Sequence, residues 1–570
     1  MVRSSLRVLS PLLLALAAVS AAGCSADLQD DSSLGDESDL TEGSPEARAV
    51  LALVNDPAVS ADELLREARV AIGVGQAIVA HRAQDPFDTL RELDAIPGVG
   101  GATITRLAAY AKRKGLLGGG TEVIFSPAPA ESSHLVRIAK EIDLATKTVD
   151  IAIYSYSDAK ISDALARAVD RGVKVRFVYN DASSDSRLAP ASKATSTSGK
   201  LEASGVNVRF INPIMHHKFM IVDGPREDLA RARTAHLVTG SANWSSSAAR
   251  TFDENTVIFQ NQEELVLRFQ REFDNMWAHS RDFVGQDLPQ ELGIEIADAA
   301  IPDAPNTHVL FTSANFVASK ETTFSTTGTN TVADGLVEGI KNATKSIHLA
   351  SGHMRSREVA EALVAKHKAS PDVDIRLYLD GQEYIAKGTQ DLQVAKVETC
   401  LAAAGDSAAK RRACTDNDFL FGFQIAESGI DVRYKYYAYR WDFTYAPQMH
   451  HKFMAIDGAT LYSGSYNLSD NAEHGTFENM LVLTGPQHAA LIQAFEANFE
   501  SIWKTGKDEN KLAALDARIA QGGELPIVFD PMALTGPEIT ALKQKIRAAC
   551  PDVDSLEFRK QPSAHRTCSR

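Results

Sequence analysis

Two stretches, Met215–Gly224 (MHHKFMIVDG) and Met449–Gly458 (MHHKFMAIDG), spell almost the same residues far apart in the chain. Each is apolar-rich and ends at Asp-Gly, so each reads as a strand running into a turn. Strand alternation puts His216, Lys218 and Met220 on one face and His217, Phe219 and Ile221 on the other. The second copy sets His450 and Lys452 on one face, His451 and Phe453 opposite. A lysine beside a histidine suits a phosphate: the cation offsets oxygen charge, and the imidazole attacks phosphorus or moves a proton. One such strand is ordinary; two at matching places in a repeat are not. By the same parity His217 and His451 read as packing residues.

Each copy leads into a second matching segment, HLVTGSANWSSSAARTFDENTVIF and LYSGSYNLSDNAEHGTFENMLVL. Ser241 with Asn243, and Ser465 with Asn467, are candidate donors to phosphate oxygens. Glu254 and Glu478 are candidates to fix a histidine ring through its far nitrogen. The surrounding chain repeats as well. From 121 onward each half reads strand, helix, strand, helix, strand, and ATKTVDIAIYS matches ATKSIHLASGH. The strands are mostly apolar and β-branched, as in a buried sheet. The economical reading is an α/β fold made of two duplicated domains.

The spacing His-x-Lys-x4-Asp resembles that of the phospholipase D superfamily. It fits His216, Lys218 and Asp223, then His450, Lys452 and Asp457, and the Gly-Ser-x-Asn and Glu-Asn segments fit too. The resemblance spans roughly residues 120–505. It implies an α/β fold: a duplicated phospholipase D-like sandwich of two pseudo-symmetric domains, with both histidines facing one phosphodiester. It implies His216 as nucleophile, forming a covalent phosphohistidine, and His450 as general acid/base, although the near symmetry leaves that order open. Lys218, Lys452, Asn243 and Asn467 would hold the phosphate oxygens. Asp223, Asp457, Ser241 and Ser465 would support the motifs. No cofactor and no metal is implied, and a dimer is not required, because one chain supplies both halves.

Around this region the chain divides further. Residues 1–24 read as an export signal, with Arg3 and Arg7 before a short apolar run. Its end, AAGC, resembles a bacterial lipobox, which implies lipid on Cys24 and an anchor at an outer membrane or cell surface; plain periplasmic or secreted export is the alternative. Residues 25–46 are acidic and polar and read as a disordered linker. Residues 47–117 form a small all-α unit in which AIGVGQAIVAHR and LDAIPGVGGATITRLAAYAKRKG each carry Gly-x-Gly between helices. The pair resembles a tandem helix-hairpin-helix domain, whose Gly73, Gly75, Gly98 and Gly100 would offer backbone N–H groups to a phosphate. The two α/β domains are expected at 120–285 and 286–512. A charged insert lies at 381–430, and the extension at 513–570 reads as decoration: one helix plus polar residues.

The chain has 570 residues, 44% of them hydrophobic and 23% charged, enough for several cores. Its formal charge of -15 argues against a surface that binds nucleic acid throughout. Of its five cysteines, four remain after Cys24. Local pairs Cys400–Cys414 and Cys550–Cys568 are the simplest of three pairings in an oxidising compartment. Export and a lipid anchor favour a phospholipid or membrane-surface substrate. An exported endonuclease using the same two histidines is the alternative, with nucleic acid recruited through the helical unit. A non-catalytic DNA-binding surface protein is the third reading. Phosphatidyltransferases of this superfamily usually carry membrane spans that the sequence does not show, and transfer remains open beside hydrolysis.

Overall fold

The computed structural model describes residues 40, 42, 45–87, 89–114, 121–284, 290–415, 419–438, 446–505, 509–521, 528–549 and 560. Cys24, Cys550 and Cys568, the signal segment and most of the acidic linker lie outside the described residues.

Five helices come first: α1 (Pro45–Asn55), α2 (Ala61–Ala68), α3 (Ile72–Arg82), α4 (Leu90–Asp94) and α5 (Gly101–Arg113). They enclose a core of their own that includes Leu53, Leu64, Ile78, Leu93 and Leu107. Ser60 caps α2, its hydroxyl accepting the Glu63 N–H. The two glycine segments differ from the expected pair of hairpins. Gly98 turns the chain at φ +87°, but Gly73 and Gly75 lie in the first turn of α3, where the Gly75 N–H already bonds to Ala71. Proline explains the difference. Pro97 biases Ile96 away from the helical region and delays α5, whereas the first segment has no proline and turns helical sooner.

Two eight-stranded sheets follow. The first contains β1 (Glu122–Ser126), β2 (Thr148–Ile153), β3 (Lys174–Tyr179), β4 (Asn207–Phe210), β5 (Lys218–Val222), β6 (His236–Gly240), β7 (Glu254–Gln260) and β8 (Arg281–Asp282). The second contains β9 (Thr307–Phe311), β10 (Ser346–Ser351), β11 (Asp374–Asp380), β12 (Asp431–Ala438), β13 (Lys452–Ile456), β14 (Thr460–Gly464), β15 (Asn479–Thr484) and β16 (Val528–Thr535). Their orders match strand for strand: β1-β7-β6-β5-β2-β3-β4-β8 and β9-β15-β14-β13-β10-β11-β12-β16. In each sheet the histidine–lysine strand runs antiparallel to the central strand, β5 on β2 and β13 on β10. The duplicated α/β architecture read from the sequence is therefore the architecture of the molecule.

The pleat of β5 sorts its side chains as the alternation requires. Phe219 and Ile221 enter a core shared by both halves, while Met220 and Val222 enter the outer core of the first half. The shared core is built twice over. Phe219 meets Phe269 of α6 (Glu263–Ala278) edge-on at 5.0 Å, and Phe453 meets Phe495 of α7 (Ala489–Thr505) at 5.0 Å. Burying each such ring contributes roughly 1.5–3 kcal/mol. Across the halves Phe125 meets Phe495 and Phe269 meets Phe311, each at 5.1 Å, so this apolar layer holds the two halves together.

The tail corrects one expectation. Residues 528–535 are not decoration: they form β16, which pairs antiparallel with β12 and completes the second sheet. Pro531 hid the strand, since proline inside an apolar run argues against a central strand; here it sits on an edge, beside a register shift opposite Tyr436 and Ala438. The helix expected after it is present at Gly536–Ala549. In the insert, the Cys400–Cys414 disulfide joins the helices Lys387–Ala404 and Ala408–Thr415.

Candidate active site

The two histidine pairs stand at a break in the strands. Ile214–Met215 forms a short parallel ladder with Thr476–Phe477 of the other half, and Met449 makes the matching bridge to Asp253. The His216 N–H donates to the Phe477 carbonyl at 3.0 Å, and the His450 N–H to the Asp253 carbonyl at 2.9 Å. Each catalytic candidate is thus fastened to the opposite half through its own backbone. Below His450 the second half adds a polar anchor. Buried Lys435 pairs with Asp253 at 2.9 Å, and Asp380 accepts the Met449 N–H at 2.8 Å.

The glutamates cross over in the same way. His216 Nδ1 lies 2.8 Å from Glu478 Oε1, and His450 Nδ1 lies 2.5 Å from Glu254 Oε1. Within each motif the lysine stands over its histidine: Lys218 Nζ is 3.2 Å from His216 Nε2, and Lys452 Nζ is 3.2 Å from His450 Nε2. Each lysine also donates to the backbone carbonyl of its histidine, at 2.7 and 2.9 Å. With Nδ1 of each ring beside a glutamate oxygen, Nε2 is the ring nitrogen without a carboxyl neighbour.

Burial governs the charges here. It depresses both histidines well below the ordinary imidazole range, and the neighbouring Lys218 and Lys452 press the same way. It also lowers Lys218 to about 7 and Lys452 to about 8, with the glutamates opposing. It raises Glu254 to about 8 and Glu478 to about 7, with the lysines opposing. At neutral pH both imidazoles are therefore unprotonated, the form a nucleophile needs. An anion bound between the lysines would offset their charge and favour the protonated form of one ring.

The other expected residues divide by what they touch. The carboxamide oxygens of Asn243 and Asn467 are buried with no hydrogen-bond partner among the described residues; donation to a phosphate oxygen would have to come from the amide nitrogens. Ser241 and Ser465 differ from their reading as phosphate donors. Both are fully buried and accept the backbone N–H of Asn255 and Asn479 at 3.0 Å, so they hold the Glu-Asn segments in place. Asp223 and Asp457 sit at the far end of their strands, away from the histidines. Both have left-handed backbones, φ +53° and +58°. Asp223 accepts Thr146 N–H and hydroxyl, Lys147 N–H and Thr148 N–H; Asp457 does the same for Thr344, Lys345 and Ser346. They clamp the entry to β2 and β10.

His217 and His451 face the shared core, as parity requires. His217 Nδ1 accepts from Asn479 Nδ2 at 3.0 Å, and His451 Nδ1 from Asn255 Nδ2 at 3.1 Å, again across the halves. Behind them the symmetry fails: Glu272 takes His217 Nε2 at 3.1 Å, whereas Asn498 stands beside His451. Sequence reasoning missed Glu272 and two further neighbours of the site, Tyr154 and His353. The Tyr154 ring packs on His216 with centroids 4.4 Å apart. Only comparison of the repeats where they diverge, YSYSD against GHMRS, could have flagged these two.

The family described as cardiolipin synthase, PLD-like domain, matches residues 138–277 and again 336–503, together more than half of the chain. The chain belongs to this phospholipase D-like family. Each match covers one half of the duplication and ends in one of the two inter-half helices, α6 and α7. The mitochondrial cardiolipin hydrolase of Drosophila melanogaster is 31% identical over 156 residues, 25% of this chain and 58% of that protein. The human mitochondrial cardiolipin hydrolase is 30% identical over 151 residues, 26% of this chain and 53% of that protein. The chain thus spans little more than half the length of these curated relatives. Among solved structures, a phosphatidylserine synthase from Haemophilus influenzae Rd KW20 is 13% identical with a TM-score of 0.44, covering 66% of this chain and 85% of that one. Among the described residues, no helix is long and apolar enough to cross a membrane.

Proposed function

We propose that this protein is a phospholipase D-type phosphodiesterase that hydrolyses phospholipids through a covalent phosphohistidine. The observation that carries this reading is the crossed pair of contacts, His216 with Glu478 and His450 with Glu254, which joins both histidine–lysine motifs into one buried site.

His216 Nε2 attacks phosphorus while the ester P–O bond breaks. His450 gives its proton to the departing oxygen. Water then adds to phosphorus as His450 takes one of its protons; the P–N bond breaks and His216 is regenerated. Lys218, Lys452, Asn243 and Asn467 hold the non-bridging oxygens, and the crossed glutamates orient the rings. The near symmetry makes the reverse assignment of the histidines chemically equivalent, and trapping the phosphorylated residue decides between them.

Phospholipid is the favoured substrate class. The family description and the names of both curated relatives refer to cardiolipin. Export, with lipid on Cys24, would keep the site beside a membrane at a bacterial outer surface or in the periplasm. The N-terminal helices, read as a tandem helix-hairpin-helix unit, give weaker support to nucleic acid. Two of their exposed cations are already engaged within the unit: Lys114 pairs with Glu63 at 2.6 Å, and Arg106 donates to Ala102.

The test offers purified protein cardiolipin and phosphatidylcholine vesicles beside single- and double-stranded DNA. Lipid hydrolysis that disappears in His216→Ala and His450→Ala supports the proposal. DNA cleavage without lipid hydrolysis transfers the same chemistry to a nuclease. No turnover of either, with intact DNA binding, leaves the non-catalytic reading.

A further inference from the structure

The two halves repeat each other closely around the paired histidines, so a departure from the repeat at that point marks what the site does asymmetrically. Equivalent positions are fixed by equivalent hydrogen bonds: the Tyr154 N–H donates to the His217 carbonyl, and the Gly352 N–H to the His451 carbonyl. Tyr154 therefore matches Gly352, and the next residues, Ser155 and His353, match each other.

The consequences differ sharply. Tyr154 lays its ring on His216 and stands under Lys218, whose Nζ is 5.2 Å from the ring centroid. Gly352 puts nothing on His450. A Cβ there would meet the Met449 carbonyl at 2.9 Å and reach within 3.9 Å of the His450 ring, so the gap is one that only glycine leaves. The side chain of His216 is 10% exposed and that of His450 is 18%. Tyr154 packs closely on His216, whereas the ring facing His450, Phe252, stands farther off with centroids 6.0 Å apart, so the site is less closely covered at His450.

His353 stands on that side. It directly follows Gly352, which lies against Met449 and His450. It is also a built group. His353 Nδ1 lies 3.1 Å from Glu383 Oε1, and Glu383 is fully buried, accepting the Met354 N–H at 3.1 Å and Arg355 Nη2 at 2.7 Å. The ring nitrogen Nε2 has no partner among the described residues. Arg355 balances the Glu383 carboxylate, so that carboxylate sets no uncompensated negative charge against an anion beside His353. The matching position in the first half, Ser155, carries no such group.

We propose that His353, oriented by Glu383, forms a subsite for a second phosphate of the substrate, carried on the leaving-group side of the scissile phosphodiester. This deepens the phosphodiesterase reading and rests on it. With His450 as the general acid, as proposed above, the leaving group departs towards it, and the side of the site at His450 is where its remainder lies. A lipid headgroup bearing a second phosphate, as in a bis-phosphatidyl glycerol, has the required chemistry; a choline headgroup does not.

The test measures Kd by calorimetry on the full chain with two soluble probes, propane-1,3-diol bisphosphate and propyl phosphate. The bisphosphate should bind the wild type roughly ten- to hundredfold tighter, the effect of one added hydrogen bond to a charged group. His353→Ala should remove that preference while leaving the Kd for propyl phosphate within about twofold. His353→Lys, which supplies a cation, should recover part of it. On cardiolipin vesicles, His353→Ala should raise KM more than it lowers kcat. A wild type without the preference, or a His353→Ala protein that keeps it or loses both affinities equally, overturns the proposal. If the wild type hydrolyses no phospholipid, the lipid reading falls, while the ratio of the two Kd values still decides the subsite.

Discussion

Replacing Asp223 with alanine removes one carboxylate that gathers three backbone N–H groups and a hydroxyl at the start of β2, with donor distances between 2.7 and 3.0 Å. In a fully buried setting each hydrogen bond to a charged group contributes roughly 1.5–3 kcal/mol. Here most of the donors reach solvent, so water replaces part of each bond and the set is worth about 2–4 kcal/mol. The backbone adds a second cost: φ is +53° at this position, and alanine in the left-handed region loses about 1 kcal/mol or more relative to residues that tolerate it. Asp223→Ala should therefore destabilise by about 3–5 kcal/mol, and Asp223→Asn, which tolerates that backbone and keeps an acceptor oxygen, by about 1–3 kcal/mol. Urea unfolding read by tryptophan fluorescence measures both. The pH dependence supplies an internal control. Burial would raise the Asp223 carboxyl, but the hydrogen bonds from Thr146, Thr148 and Lys147 outweigh it and hold the folded value low. The stabilisation is then full above the unfolded value of about 4 and fades as pH falls through the folded one, so the wild-type advantage over Asp223→Asn shrinks in acid. Turnover of a soluble diester such as bis(p-nitrophenyl) phosphate, taken well below the unfolding transition, should stay within about threefold of wild type. An unchanged urea midpoint with a hundredfold loss of turnover would refute the clamp and place Asp223 in the chemistry.

Three further outcomes follow from the site. Glu478→Gln and Glu254→Gln should each lower kcat roughly 10–100-fold by loosening the opposite half's histidine, with little loss in melting temperature because a carboxylate destabilised by burial has been removed. In the free protein Lys218 and Lys452 carry charge below about 7 and about 8, so 1/KM for an anionic diester should fall as pH rises through that window; a KM flat from pH 6 to 9 would contradict it. Reducing Cys400–Cys414, or replacing both with serine, should weaken amide protection in the insert helices by up to about 3 kcal/mol while leaving diester turnover intact, as hydrogen exchange and a rate assay would show.

Much of this protein is written in local pattern. The doubled MHHKFM strands, their period of two and the trailing Gly-Ser-x-Asn and Glu-Asn segments identify the duplication, the faces of β5 and β13 and nearly all residues of the site. Side-chain direction along a strand is set by its own backbone, so no distant information is needed. Tertiary structure alone decides the pairing between halves. Nothing in the sequence says that Glu478 serves His216 and Glu254 serves His450, because the exchange depends on how the two halves pack, through Phe125 on Phe495 and Phe269 on Phe311. It also decides the edge strand β16, where Pro531 masks the pattern and pairing with β12 overrides it. The asymmetry at Tyr154 and Gly352 is visible as two different letters, yet its meaning, a closely covered His216 and a less closely covered His450, exists only once the halves have folded around a common polar centre. Contacts between residues hundreds of positions apart leave no period in a sequence, which is why the chain announces its catalytic groups but not their partners.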